Sequence, residues 1–354
     1  GGLFETVLGS FLKPLRKFFP SVVTGTVVLS IGLSLIAVGI SSFGGGSSAK
    51  DYGSLENLFV GFVVLVVIVV LKHGTKGFTS FASILIGIIV GYVLVSIMAT
   101  VLPTTFTYVD DAGATVEATK SWVLNWDKVA SASWFAVPKI MPVKWVFDAR
   151  AIVPICIMFI VTAVETVGDI SGITEGGLGR EATDKELSGG VICDGLGSSI
   201  AALFGVLPNT SFSQNVGLVA MTKVVNRFTI AIGAVIMILA GIFPIFGALL
   251  ATLPDAVLGG CTIMMFGTIV VSGLQMISKC GFTQRNMIIA ALSLSIGLGF
   301  TECADLFAIF PRMVQNVFAQ NCVAVVFLVS ILLNLVLPKN MEAEKVTEQK
   351  KEKA

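Results

Sequence analysis

Apolar windows long enough to cross a bilayer as helices recur near 21–40, 55–71, 79–101, 149–168, 188–207, 226–252, 255–278, 284–300 and 314–337. Between the fifth and sixth lies a segment that breaks the pattern. It begins Pro208-Asn209-Thr210-Ser211-Phe212-Ser213-Gln214-Asn215-Val216-Gly217 and ends at Thr222-Lys223. Hydrocarbon offers no partner to a free backbone N–H or C=O, so irregular chain at that depth must be buried in protein or line a cavity. Broken spans of this kind mark midplane substrate sites in secondary transporters. Read as extended chain, at ~3.3 Å per residue, followed by a half-helix, 208–223 also crosses, which makes ten crossings.

The residue balance agrees. The chain is 55% hydrophobic and 13% charged, the signature of an all-α polytopic membrane protein set in a lipid bilayer. A net charge of +1 argues against a nucleic-acid partner. None of the six cysteines is spaced as CxxC, so buried thiols are expected, with no disulfide framework, no metal site and no cofactor. Alternate numbering of the crossings puts sixteen basic residues on one side and seven on the other. The positive-inside rule assigns the richer side, with the Lys/Glu-rich tail 338–354, to the cytoplasm. Loop 102–148 then lies outside. It carries Trp122, Trp126, Trp134 and Trp145, read as interface anchors, and a hairpin turn at Asp110-Asp111-Ala112-Gly113.

A short repeat bears on the architecture. Phe19-Pro20-Ser21-Val22-Val23-Thr24-Gly25 opens the first span, and Leu253-Pro254-Asp255-Ala256-Val257-Leu258-Gly259 opens the eighth. The repeat is therefore seven spans long. An odd number inverts the second copy in the membrane. The earlier copy has only its last three spans here, and no signal peptide is visible, so the expectation is that four spans precede Gly1.

Three acids stand inside apolar spans: Glu165, Asp169 and Asp194. The first two are four residues apart, so they stack on one helix face ~6 Å along the axis. A carboxylate at bilayer depth costs ~2.5–3.5 kcal/mol, kept only where the acid is paired, hydrated or used. Glu165 is the first candidate for a functional acid, Asp194 and Asp169 the next, and Gln214 is expected to face a cavity. Lone His73 reads as a solvated interface residue, and Gly87 with Gly91 as a close-packing GxxxG pair. Asn209-Thr210-Ser211 matches a glycosylation sequon, but its depth argues against use.

These residues resemble the nucleobase–ascorbate transporter family, the xanthine/uracil permeases. The signature of that family is Gln, Glu or Pro, then Asn-x-Gly, four residues, Thr, and Arg, Lys or Gly; Gln214, Asn215, Gly217, Thr222 and Lys223 match it throughout. Glu165-Thr-Val-Gly-Asp169 resembles the acidic motif of the family's eighth span, and Asp194 the acid of its ninth. The resemblance implies a seven-plus-seven inverted-repeat fold with core and gate domains, its first four spans absent here. Residues 1–101 would be the fifth to seventh spans, of the gate; 102–148 an extracellular loop; 149–252 core spans with the substrate site; 253–337 gate spans; and 338–354 a cytoplasmic tail.

The implied activity is import of a nucleobase by symport with protons or another cation across the plasma membrane, with a homodimer through the gate domain. Glu165, Gln214, Ser213 and Asn215 would bind substrate, and Asp194 and Asp169 would serve proton coupling and core hydrogen bonding. Glu165 can accept purine N–H bonds, and an amide at Gln214 can both donate and accept. Gln in the first signature position goes with xanthine and urate carriers, Glu with uracil carriers. Three alternatives stand beside this one. An anion exchanger is disfavoured because Glu165 would repel its substrate. An intramembrane aspartyl protease using Asp169 and Asp194 would need Gly where Thr166 stands. A passive channel is the third.

Overall fold

The computed structural model describes residues 1–11, 20–109, 113–212, 215–216, 219, 223–311, 314–315, 318–319 and 321–338. The protein is mostly helical. The helices are α1 (Gly2–Ser10), α2 (Ser21–Phe43), α3 (Leu55–Gly74), α4 (Ser83–Val101), α5 (Ala149–Ile173), α6 (Asp184–Leu203), α7 (Arg227–Ile242), α8 (Pro244–Ala251), α9 (Asp255–Lys279), α10 (Gln284–Glu302) and α11 (Cys322–Val336). A hairpin of β1 (Thr105–Val109) and β2 (Thr115–Thr119) pairs antiparallel, with Thr105 opposite Thr119 and Val109 opposite Thr115. The expected turn residues 110–112 lie outside the described residues.

Among the described residues, five helices are long and apolar enough to cross a membrane: α2, α3, α4, α5 and α9. The window 226–252 is not one straight span. It is bent by 85° between α7 and α8, and the two count as a sixth crossing if taken together. Pro244 opens α8 and lacks an N–H, and the residue before a proline avoids helical angles, so Phe243 is extended and the helix breaks there. Helix α6 has the length, at 20 residues, but its glycines, serines and Asp194 lower its hydropathy.

The chain forms two compact units. The first comprises 1–34, 139–225 and 268–354. Within it α1 lies along α6 at close range, because glycines face each other: a Cβ on Gly2 would stand 2.5 Å from the Gly195 carbonyl, and one on Gly195 2.6 Å from that of Gly2. Ser188 Oγ donates to the Gly9 carbonyl at 2.5 Å. Helix α5 packs on α6 through Ala163, Val167, Leu187 and Val191, and meets α2 and α11 through Val164, Val27 and Phe327.

The second unit comprises 35–138 and 226–267. Its core is Val60, Val64 and Ile68 of α3, Val95 and Met98 of α4, Val257 and Cys261 of α9, and Trp122 of the long loop. Trp122 is wholly buried there and is no surface anchor, whereas Trp126, Trp134 and Trp145 are exposed. The GxxxG pair of α4 brings it against its neighbours: Cβ atoms on Gly87 and Gly91 would each stand 2.6 Å from Ile68 and Val257. The loop is fastened to the start of α3 by a Lys120–Glu56 ion pair and by Asn57, whose Nδ2 donates to Ser121 Oγ at 2.9 Å.

Helices α2 and α9 each contribute to both units and make matched contacts. Both start directly after a proline, at Ser21 and Asp255, and carry a glycine four residues on, Gly25 and Gly259. In the first unit a Cβ on Gly25 would stand 3.0 Å from the Ile277 nitrogen; in the second, one on Gly259 would stand 2.1 Å from the Phe43 nitrogen. Ile277 and Phe43 each lie twenty-two residues beyond their own helix start.

Candidate functional site

The site is built in the first unit, where α6 stops and the chain turns back over α5. The stop is encoded locally. Gly205 takes a positive φ of 68°, which only glycine adopts freely. Gly205 N–H then donates to the Ala202 carbonyl at 3.1 Å and Val206 N–H to that of Ala201 at 3.0 Å, which satisfies the end of the helix. Pro208 disfavours helical angles at Leu207 before it, and 206–212 runs without regular structure. Helical turns resume at Asn215, whose N–H donates to the Phe212 carbonyl.

Three consecutive residues of this irregular stretch reach three acids. Asn209 Nδ2 donates to Asp194 Oδ1 at 2.8 Å. Thr210 Oγ1 faces Glu165 Oε2 at a long 3.4 Å. Ser211 Oγ donates to Asp169 Oδ2 at 2.6 Å. A second layer completes the network: Thr166 Oγ1 donates to Asp194 Oδ2 at 2.8 Å, and Ser198 Oγ donates to the Asn209 carbonyl at 3.0 Å. Asp194 and Asp169 are buried, at 8% and 4% exposure, while Glu165 is half-buried. An ionised carboxylate only accepts, and here the donors point at the two buried acids. Close packing permits this. A Cβ on Gly197 would stand 2.9 Å from Asn209 Oδ1, so a larger residue there would push the segment off α6.

Beside Asp169 the α5 surface is bare of side chains at Gly168 and Gly172. A cavity of about 130 Å³ opens there, walled by Ser272, Gln275, Met276 and Lys279 of α9. A neighbouring hollow of about 190 Å³ shares Gly168, Gly172, Met276 and Lys279 with it. At the far end of the segment Lys223 takes a positive φ of 57°, and its ammonium donates to the Gly176 carbonyl in the π-helical turn Thr174–Leu178 that extends α5.

The fold thus gathers Glu165, Asp169 and Asp194 at one irregular segment. Asn215 is exposed at the restart of the helix, and Lys223 closes the segment on α5. Ser213, Gln214, Gly217 and Thr222 lie outside the described residues. Sequence reasoning passed over Asn209, Thr210 and Ser211 as ligands of the acids. Their only individual signal was a glycosylation sequon, and nothing in spacing says which polar residue meets which carboxylate. It also passed over Glu5, which lies ahead of the first apolar window yet is wholly buried on α1.

A family model described as a permease family, that of the xanthine/uracil permeases, matches residues 1–306. The chain belongs to the xanthine/uracil permease family. Among similar permeases, the xanthine permease of Bacillus subtilis is 34% identical over 352 residues, 98% of this chain and 74% of the relative. The xanthine permease XanQ of Escherichia coli K12 is 32% identical over 352 residues, 98% of this chain and 70% of the relative. The uric acid transporter UacT of the same organism is 33% identical over 322 residues, 89% of this chain and 61% of the relative. A permease of this family is an integral membrane transporter and not an enzyme, so the aspartyl-protease alternative for Asp169 and Asp194 falls away.

Proposed function

We propose that this permease imports an oxidised purine, xanthine or urate, by symport with protons. The observation that carries the proposal is the tie of Asn209, Thr210 and Ser211 to Asp194, Glu165 and Asp169. It holds the first half of the signature segment on the acidic faces of α5 and α6, where a ligand edge can meet both. Asp194 and Asp169 already accept from protein donors, so they fix the segment and take part in coupling. The contact of Thr210 to Glu165 is long, at 3.4 Å, and a purine N–H can take its place. Ser213, Gln214 and Asn215 stand next along the chain, and backbone N–H groups at the restart of the helix suit a carbonyl oxygen.

The names of the relatives support a purine dione, as does Gln at position 214. Uracil, the alternative within the family, and an anion, the alternative outside it, fit these groups less well. The architecture proposed is the seven-plus-seven inverted repeat, supported by the matched Gly25 and Gly259 contacts of α2 and α9. Residues 149–252 are its core, joined by α1, which packs along α6. The gate spans would carry a homodimer contact, and the C-terminus would face the cytoplasm of a plasma-membrane carrier. The test is uptake of labelled xanthine in cells lacking their own purine carriers, competed by urate, hypoxanthine and uracil, with and without a protonophore. Competition by xanthine and urate together with collapse by the protonophore is expected. Competition by uracil alone, or indifference to the protonophore, would overturn the corresponding half.

A further inference from the structure

We propose that Glu5 is a proton-carrying residue of this permease, buried where α1 packs along α6 next to Asp194. The proposal rests on the symport reading above and assigns it a residue that neither the signature nor the acidic motif contains.

Glu5 is 0% exposed, and among the described residues its Oε2 has no hydrogen-bond partner. A carboxylate buried with a bare oxygen is the costliest form the side chain can take. Its other oxygen has one shared donor. Glu5 Oε1 lies 3.2 Å from Thr162 Oγ1, and the same hydroxyl lies 3.1 Å from the Phe159 carbonyl. Thr162 has one hydroxyl proton, and a carbonyl can only accept. That proton serves either Glu5 Oε1 or the Phe159 carbonyl, so the buried carboxyl group has at most one donor on one oxygen and none on the other, a setting that favours holding a proton.

Asp194 is arranged in the opposite sense. It receives Thr166 Oγ1 on one oxygen and Asn209 Nδ2 on the other, as a carboxylate would. The two helices meet beside both acids: a Cβ on Gly195, next to Asp194, would stand 2.6 Å from the nitrogen of Thr6, next to Glu5. Among the described residues the charged group that faces Glu5 is Asp194 of α6; α5 contributes the neutral Thr162. A proton held by Glu5 removes a negative charge from the buried face next to Asp194, and its loss restores that charge. On loading, an O–H bond forms on Glu5 from a proton of the outer solution; on release it breaks to water on the inner side. Because Asp194 also holds Asn209, the charge of the pair reports directly to the segment that carries the substrate residues.

Glu5→Gln keeps the shape and removes the titration. With one proton per substrate, an inward gradient of one pH unit supports about tenfold accumulation. In Glu5→Gln the ratio should fall towards one, while exchange of labelled for unlabelled xanthine, which needs no net proton flux, continues. Glu5→Asp should regain proton-driven accumulation with a displaced pH profile, and it carries the test alone if Glu5→Gln does not reach the membrane. Full accumulation in Glu5→Gln, or an unaltered pH profile in Glu5→Asp, would overturn the role of Glu5 while leaving symport intact. A wild-type carrier indifferent to the proton gradient would overturn symport itself, and this proposal with it.

Discussion

Ser211 Oγ donates a 2.6 Å hydrogen bond to Asp169 Oδ2, and so fastens a stretch of backbone that has no regular structure to a membrane helix. Two residues earlier Asn209 does the same to Asp194. Both carboxylates are thereby engaged by the chain that leads into the Gln214–Lys223 signature. Under the proposed symport, specificity and coupling would be mechanically joined, through side chains a few residues from the signature itself.

That joining predicts an outcome for a swap. Asn209→Asp would set two carboxylates against each other where an amide now donates, and should lower uptake and melting temperature together. Asp194→Asn alone would leave Asn209 facing a group that still offers an acceptor. It should spare folding more than it spares proton-driven accumulation. The double variant Asp194→Asn with Asn209→Asp restores a donor–acceptor pair and should recover stability over Asn209→Asp, with a coupling of about 0.5–3 kcal/mol in a double-mutant cycle. Strict additivity in detergent melts would show that the 2.8 Å contact contributes nothing.

The acids were visible in the sequence because charge inside an apolar window stands out, and so was the broken span, because Pro208 and a polar run cannot continue a helix. The partners were not. Which of Asn209, Thr210 and Ser211 meets which acid depends on the Gly205 turn and on the depth to which Gly197 lets the segment settle. Neither has a period. The bend at Pro244 was hidden for a related reason: hydropathy runs unbroken through it and only the backbone geometry changes. Trp122 looked like an interface residue by type, and a cluster contributed by three separate helices buried it.

Close approach at the paired glycines gives a prediction of sign. Alanine for glycine within a helix ordinarily stabilises by up to about 1 kcal/mol. At Gly267 of α9 a Cβ would meet nothing within 4 Å, so Gly267→Ala should be neutral or stabilising. At Gly259 it would stand 2.1 Å from the Phe43 backbone, so Gly259→Ala must part the helices and should cost about 1–3 kcal/mol or more. Melting temperatures of the two variants in one detergent decide it. Equal shifts would mean that the α2–α9 contact tolerates a methyl group.

Thr210 Oγ1 stands 3.4 Å from Glu165 Oε2, longer than the 2.6 and 2.8 Å contacts of Ser211 and Asn209 to their acids. Glu165→Gln should therefore leave the amount of carrier in the membrane near wild type and raise the KM for xanthine. Loss of one charge-assisted bond costs about 1.5–3 kcal/mol, about tenfold or more in affinity. An unchanged KM and rate would remove Glu165 from the substrate's surroundings and move attention to the 130 Å³ cavity beside Asp169.

Gln214→Glu should turn selectivity away from xanthine. An amide offers a donor and an acceptor, whereas an ionised carboxylate only accepts. A purine carbonyl facing position 214 would lose its donor and meet a negative charge. A site built to hydrogen-bond one edge rejects a mismatched ligand strongly, because buried polar groups are left unpaired. Uracil can present an N–H to the same position and should lose less. Competition of labelled xanthine by uracil, urate and hypoxanthine in wild type and Gln214→Glu measures this directly. The expected profile keeps uracil as an inhibitor while urate and xanthine weaken by about tenfold or more. An inhibition profile identical to wild type would mean that position 214 does not read the edge of the base. The choice of an oxidised purine over uracil would then rest on the likeness to other permeases alone.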